Sequence, residues 1–315
     1  MYNDKFMRCL VTGCAGFIGS TLTDYLLREG HHVIGIDSFT DYYARSIKEN
    51  NISAARKNPN LIFIEDEIQN ISNFPEVDYI FHEAAQAGVR NSWGKDFAIY
   101  SHNNIETTQY LLESYRDKSI KKFVNASSSS VYGDVSLPMH EDMRLQPVSP
   151  YGVSKLAAEH LCYLYWKNFG VPTVSLRYFT VYGPRQRPDM AINKFVTAIL
   201  NENPITLYGD GTQTRDFTYI SDIIEANMLA AEKGGPGSVF NIGGGSRITV
   251  KELIQELEMN CGKSAKIRIV EKQKGDVQDT LADIRKATAK IDWKPHISIK
   301  EGVRKYIEWF FQTVH

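Results

Sequence analysis

The residues with the clearest chemical potential stand in the stretch "SPYGVSK" at 149–155. Ser149 suits a helix N-cap, and Pro150 suits the first helical turn, where a missing N–H costs nothing. Tyr151 and Lys155 then lie at i and i+4 on one helix face. A free phenol titrates near ~10, so at neutral pH it is a poor base. A neighbouring cation favours the phenolate and makes Tyr151 usable for proton transfer. The spacing alone favours a plainer arrangement, a tyrosine stacked on the aliphatic stem of a lysine at a helix surface. The rest of the chain decides between them.

A second constellation is "LVTGCAGFIGS", in which Gly13, Gly16 and Gly19 recur at three-residue spacing. The first glycine permits a tight turn, the second lets backbone approach a pyrophosphate, and the third lets helix and strand pack closely. The opening turn of the following helix, with Phe17 and Ile18, presents unpaired N–H groups to phosphate. "VIGID" places Asp37 at the end of the next strand, where a carboxylate can accept bonds from the adenosine ribose. Asp37 repels a 2′-phosphate and Ser38 offers no compensating charge, so the expected cofactor is NAD and not NADP.

Those residues need a scaffold, and the first half of the chain supplies the pattern of one. Short apolar runs ("CLVT", "HVIGID", "LIFIE", "DYIFHEAA", "KKFVNASS", "TVSLRYF") alternate with helical segments over about 17–29, 103–116 and 150–169. This predicts an α/β fold, a Rossmann-type doubly wound parallel sheet covered on both faces. After about 180 the chain turns irregular and richer in Gly and Pro. The expected division is a dinucleotide-binding domain over 1–180 and a smaller C-terminal substrate-binding lobe over 181–315, interleaved with the first because no linker precedes it. Surplus apolar residues on the helices over 103–116 and 150–169 (Leu111, Leu112, Tyr115; Leu161, Tyr163, Leu164, Trp166) fit a homodimer interface as well as extra packing within one large subunit.

Bulk properties exclude several classes. With 36 basic and 37 acidic residues, the net charge of −1 offers no basic surface for nucleic acid. Cys9, Cys14, Cys162 and Cys261 lack metal-ligand or C-x-x-C spacing and read as free thiols; no metal site is expected. The start "MYNDKFMRCLV" has no signal-peptide core, and no run of ~18 apolar residues could span a bilayer. The expectation is a soluble cytoplasmic protein with no membrane partner.

The glycine spacing, "HEAAQAGVR", "ASSSSVYG", "SPYGVSK", "RYFTVYGP" and "GDGTQTRDFTYISD" together resemble the extended short-chain dehydrogenase/reductase family, and within it the nucleotide-sugar epimerases. The resemblance spans nearly the whole chain. It implies that Tyr151 is the catalytic acid/base, that Lys155 is its electrostatic partner and holds the nicotinamide ribose, and that Ser128 hydrogen-bonds the reacting sugar oxygen and relays its proton. It also implies cofactor contacts from Ala84 and Ala85, with Asn104 nearby, and from Tyr178 along the nicotinamide. The family's "GDI" adenine contact appears here as "DEI", which assigns Glu67 and Ile68.

The resemblance also bears on the reaction. The 4,6-dehydratases carry a carboxylate pair before "VYG", and the UDP-glucuronate decarboxylases a glutamate at the position of Ser130. This chain has Ser128, Ser129 and Ser130. What remains is 4-epimerisation of a UDP-sugar through a 4-keto intermediate. Arg215 matches the family's pyrophosphate clamp, where a planar fork suits two phosphate oxygens, and Asp276 matches a contact to the nucleotide ribose. Gln273 replaces the arginine of many hexose epimerases, and Thr180 replaces a common asparagine, as in UDP-glucuronate 4-epimerases. Ser128, Ser129, Ser130 and Thr180 could ring a sugar carboxylate with hydroxyls, and Arg187 and Arg185 could add charge. The alternatives are a UDP-glucose or UDP-N-acetylglucosamine 4-epimerase, a UDP-glucuronate decarboxylase, and a catalytically silent NAD-binding regulator, against which the intact Ser128, Tyr151 and Lys155 argue.

Overall fold

The structure is a computed structural model that describes residues 6–271, 275 and 277–314. Gln273 and Asp276 lie outside the described residues. The strands, in chain order, are β1 (Arg8–Thr12), β2 (His32–Ile36), β3 (Leu61–Ile64), β4 (Tyr79–His82), β5 (Lys122–Ser128), β6 (Thr173–Tyr178), β7 (Thr180–Tyr182), β8 (Pro204–Tyr208), β9 (Thr214–Tyr219), β10 (Ser238–Ile242), β11 (Arg247–Thr249) and β12 (Lys266–Val270). Seven of them form one parallel sheet in the order β10-β6-β5-β4-β1-β2-β3. This is the Rossmann-type architecture that the alternating pattern predicts. Order reverses between β1 and β4, and the crevice outside the carboxyl ends of the strands at such a switch point is where ligands bind.

β5 and β6 are buried along their whole length, as strands covered on both faces must be. They nevertheless carry polar residues, each given a partner. Asn125 Nδ2 donates to Ser175 Oγ at 3.1 Å, and Ser127 Oγ donates to Glu159 at 2.7 Å. Arg177 grips both oxygens of Glu159 at 3.0 and 2.6 Å. That buried fork locks helix Pro150–Phe169 onto the sheet.

Chain order and space diverge in the second half. Helix Ile220–Lys233 packs on the sheet and β10 extends it beyond β6. β7, β9 and β11 form a three-stranded sheet, with β8 and β12 paired separately. Among the described residues, no helix is long and apolar enough to cross a membrane.

One helix departs from expectation. The segment expected over 103–116 begins earlier, at Phe97, and widens into a π-helical stretch at Ser101–Glu106 before Thr107–Tyr115. The wide turn accompanies an inward Asn104, whose Nδ2 donates to Gln86 O at 3.0 Å and Ser154 Oγ at 2.8 Å. Leu111, Leu112 and Tyr115 are not surplus: all three are fully buried in the core beneath β4 and β5. On this segment and on helix Pro150–Phe169, the large apolar residues that do reach the surface are Ile99, Val153, Tyr163, Leu164 and Phe169.

Candidate active site

The helix that carries Tyr151 is built by local rules. Ser149 Oγ caps it by accepting from Gly152 N at 3.1 Å, Pro150 opens it, and Gly170 closes it at φ +75°. Gly152 is required by its neighbours: a Cβ there would lie 2.4 Å from the Ser130 carbonyl oxygen. The glycine lets the serine turn Ser129–Val131 press against the first turn of the helix, which brings Ser128 to Tyr151. Ser128 stands close enough to the phenol to pull its pKa down. Ser128 Oγ also accepts from Ser130 N at 3.1 Å. Tyr100 meets the Tyr151 ring edge-on at 6.2 Å.

A cleft runs along the carboxyl ends of the strands. Gly13, at φ +68°, starts it, and a Cβ on Gly19 would stand 2.1 Å from Gly13 O, so helix Phe17–Arg28 leaves β1 at close range. That helix begins at Gly16 with no side-chain cap. The amides of its first turn, with Phe17, Ile18 and Gly19, border the cleft. Asp37 is fixed at the end of β2 by accepting from Ala15 N at 3.0 Å and Phe39 N at 2.8 Å. Glu67, Ile68, Ala84 and Ala85 line the same wall, and Tyr151, Lys155 and Tyr178 line its far end. An uncapped helix start, a glycine cradle and an anchored carboxylate together fit a dinucleotide. Asn104 stands behind the wall, at 1 % exposure, and acts through Gln86 and Ser154.

Burial pushes the Tyr151 phenol up, while the Ser128 hydroxyl and the charge of Arg187 pull it down. Arg187 is thus a cation acting on the phenol that the sequence reading did not assign to it. Lys155 is buried among other partners: desolvation lowers it to about 8, against the opposing charges of Glu83 and Glu159. Arg187 is itself held by Asp189 at 2.9 and 3.0 Å, and Tyr42 OH donates to Asp189 at 3.1 Å. Arg185 goes elsewhere. At φ +69° it turns to helix Phe17–Arg28, meeting Asp24 at 2.6 Å and Ser20 at 3.2 Å, so it adds no charge to the cleft.

Thr180 opens β7, directly after Tyr178 and Phe179, and Ser129 and Ser130 form the turn beside Tyr151. Arg215, on β9, donates to the backbone carbonyls of Thr214 at 2.8 Å, Val277 at 2.9 Å and Gln278 at 3.0 Å, away from the residues lining the dinucleotide cleft. Asp276 lies outside the described residues. Among the described residues, no group of three His, Cys, Asp or Glu side chains is arranged to hold a metal ion.

Three cleft or support residues were not assigned in the sequence reading. Glu83 lines the cleft and accepts from Tyr178 OH at 2.8 Å. Lys48 reaches the adenosine end, donating to Thr40 O at 2.5 Å. Glu159 supports the helix from behind. Only Glu159 could have been found, as the residue one helical turn beyond Lys155.

The fold and cleft define a dinucleotide-binding protein of the NAD type, with Tyr151 and Lys155 lining the far end of the cleft and Ser128 beside Tyr151. The comparisons with known proteins narrow the class. Residues 9–243 match the NAD dependent epimerase/dehydratase family, and the chain belongs to it. It is an enzyme of that family, with NAD as its cofactor. It is 43% identical over 310 residues to a Bacillus subtilis (strain 168) protein called uncharacterized UDP-glucose epimerase YtcB, covering 96% of this chain and 98% of that one. It is 41% identical over 313 residues to UDP-glucuronate 4-epimerase of Thermodesulfobacterium geofontis (strain OPF15), covering 97% and 96%. Among solved structures, UDP-glucuronic acid 4-epimerase from Bacillus cereus in complex with UDP-glucuronic acid and NAD superposes with a TM-score of 0.93 at 44% identity, covering 97% of this chain and 99% of that one.

Proposed function

We propose that the chain catalyses C4 epimerisation of a UDP-sugar, with UDP-glucuronate as substrate and UDP-galacturonate as product, through a transient 4-keto sugar. The observation that carries this reading is the approach of Ser128 to the Tyr151 phenol at the far end of the dinucleotide cleft, beside a serine turn with no carboxylate. The similarity to named UDP-glucuronate 4-epimerases supports the choice of sugar.

Tyr151 takes the proton of the sugar C4 hydroxyl, relayed by Ser128. Arg187 and Ser128 offset the cost of a buried phenolate. When bound, NAD supplies the two-electron oxidation and its reversal. Gly13, Gly16, Phe17, Ile18, Gly19, Asp37, Glu67, Ile68, Ala84, Ala85, Lys155 and Tyr178 hold it, with Asn104 bracing the wall. Ser129, Ser130 and Thr180 tether the sugar carboxylate by hydroxyl donors near the ring plane, which disfavours loss of CO2. Arg215 and Asp276 hold the nucleotide, and residues 181–315 serve as the substrate lobe.

A neutral-sugar reading has one specific support, the UDP-glucose name of the Bacillus subtilis relative. Incubation with UDP-glucuronate, UDP-glucose and UDP-N-acetylglucosamine, followed by product separation, decides between them. UDP-galacturonate from the first alone upholds the proposal, and turnover of UDP-glucose alone overturns it.

The same reading includes a cytoplasmic homodimer. Free Cys9, Cys14, Cys162 and Cys261 suit a reducing compartment. Exposed Ile99, Val153 and Leu164, on the two helical segments beside the site, suit a twofold interface.

A further inference from the structure

Glu83 follows β4 directly and borders the cleft together with Lys155 and Tyr178. Its surroundings fix its hydrogen bonding. Asn227 Nδ2 donates to Tyr178 OH at 2.8 Å and to Ile223 O at 2.9 Å, so the phenol oxygen is already an acceptor. The phenol has two acceptors in reach, Glu83 Oε1 at 2.8 Å and Asn227 Oδ1 at 3.1 Å, and with Asn227 Nδ2 donating to the phenol the shorter contact, to Glu83, takes the proton. On β4 the adjacent His82 is neutral, pushed down to about 3, with Nδ1 and Nε2 engaged by Thr12 at 2.8 Å and Thr108 at 3.0 Å. On helix Pro150–Phe169 the facing charge is Lys155. Burial raises the Glu83 carboxyl to about 7, and Tyr178 and Lys155 oppose that rise. Near neutral pH the cleft thus has a carboxyl group poised between its charged and neutral forms.

We propose that Glu83 sets the redox preference of the bound dinucleotide: its carboxylate, held by Tyr178 and offset by Lys155, favours the cationic oxidised nicotinamide over the neutral reduced one. In a buried site a unit charge acts strongly on a second one that appears and disappears. An enzyme that must end each cycle with oxidised cofactor gains from such a bias. The inference rests on NAD occupying this cleft and not on which sugar is turned over.

The test is the midpoint potential of the dinucleotide bound to the holoenzyme, read by spectroelectrochemical titration with no sugar present. Glu83→Gln should raise the potential by the equivalent of an about tenfold change in the oxidised-to-reduced affinity ratio, about 30 mV for a two-electron couple. Glu83→Asp should retain most of the wild-type value, and Lys155→Met should shift it the other way. A role confined to holding Tyr178 would weaken both cofactor forms alike and leave the potential unmoved. The wild type supplies its own arm. On the acid side of about 7, where Lys155 keeps its proton, its potential should climb more steeply with falling pH than that of free dinucleotide, because Glu83 is losing its charge. An unshifted potential in Glu83→Gln overturns the proposal; where that variant does not fold, a wild-type slope parallel to free dinucleotide does so.

Discussion

Arg187 and Tyr151 are electrically coupled within the cleft: the guanidinium pulls the phenol down, and the phenol in turn raises the guanidinium. Arg187 is far from Tyr151 in sequence and reaches it only because Asp189 and Tyr42 hold it there. Ser128 acts on the phenol in the same direction. Removing either influence must raise the Tyr151 pKa. A base with a raised pKa is ionised only at higher pH, so Ser128→Ala and Arg187→Gln should each move the acidic limb of the kcat/KM profile upward in pH. Arg187→Lys should move it less. A pH–rate series in which neither limb moves would remove Tyr151 from the role of base.

Tyr151→Phe keeps the ring and its contact with Tyr100 but deletes the proton acceptor. It should retain bound NAD while turnover falls by at least ~10²-fold, the usual scale for a positioned acid/base. Cofactor content after denaturation and steady-state rates read the two effects separately. Near-normal turnover would contradict the assignment.

Gly152→Ala tests the close approach that assembles the site. Helix propensity favours alanine by about 1 kcal/mol. The new Cβ, however, would meet the Ser130 carbonyl oxygen at 2.4 Å and Pro147 Cβ at 2.9 Å. Backbone cannot yield as a side-chain tip can, so the clash should win, with a net loss of about 1–3 kcal/mol in urea unfolding. Turnover should fall further than stability alone explains, since the Ser128–Tyr151 contact is displaced. A stabilised, fully active variant would show that the serine turn moves freely.

Thr180→Val exchanges a hydroxyl for a methyl of nearly equal size at the start of β7. Epimerisation of UDP-glucuronate should weaken, with KM raised, while NAD affinity stays within about twofold, since no hydroxyl near the dinucleotide wall is removed. Equal losses for acidic and neutral UDP-sugars would count against a carboxylate contact at this position.

Leu164 is half exposed on helix Pro150–Phe169, and Leu164→Glu places a charge on the face proposed to pair with its copy. Light scattering at micromolar concentration should give a dimer for the wild type and a species near the 35.8 kDa of one chain for the variant. A wild type that is monomeric throughout would rule out the interface.

Much of this was legible along the chain because it is decided locally. Ser149, Pro150 and Gly170 bound a helix by the conformations and hydrogen bonds available to those residue types, and the structure has that helix at Pro150–Phe169, as its caps require. Alternating apolar runs likewise give the parallel sheet, and Gly13, Gly16, Gly19 and Asp37 meet at one cleft because the strand–turn–helix path leaves few alternatives. The π-helical turn around Asn104 was not legible, since it depends on Gln86 and Ser154 arriving from other elements.

The charges followed another rule. From sequence alone, Tyr151 and Lys155 determined each other's helix face, and Arg187 was the expected charged neighbour of the sugar, with Arg185 close by in sequence. Only the tertiary structure decided that Arg185 binds Asp24, that Arg187 faces Tyr151, and that Lys155 answers to Glu83. Caps, turns and strand periods depend on residues a few positions apart, so sequence carries them directly. Electrostatic partnership falls off with distance through space and strengthens with burial, and neither quantity exists until the chain has folded.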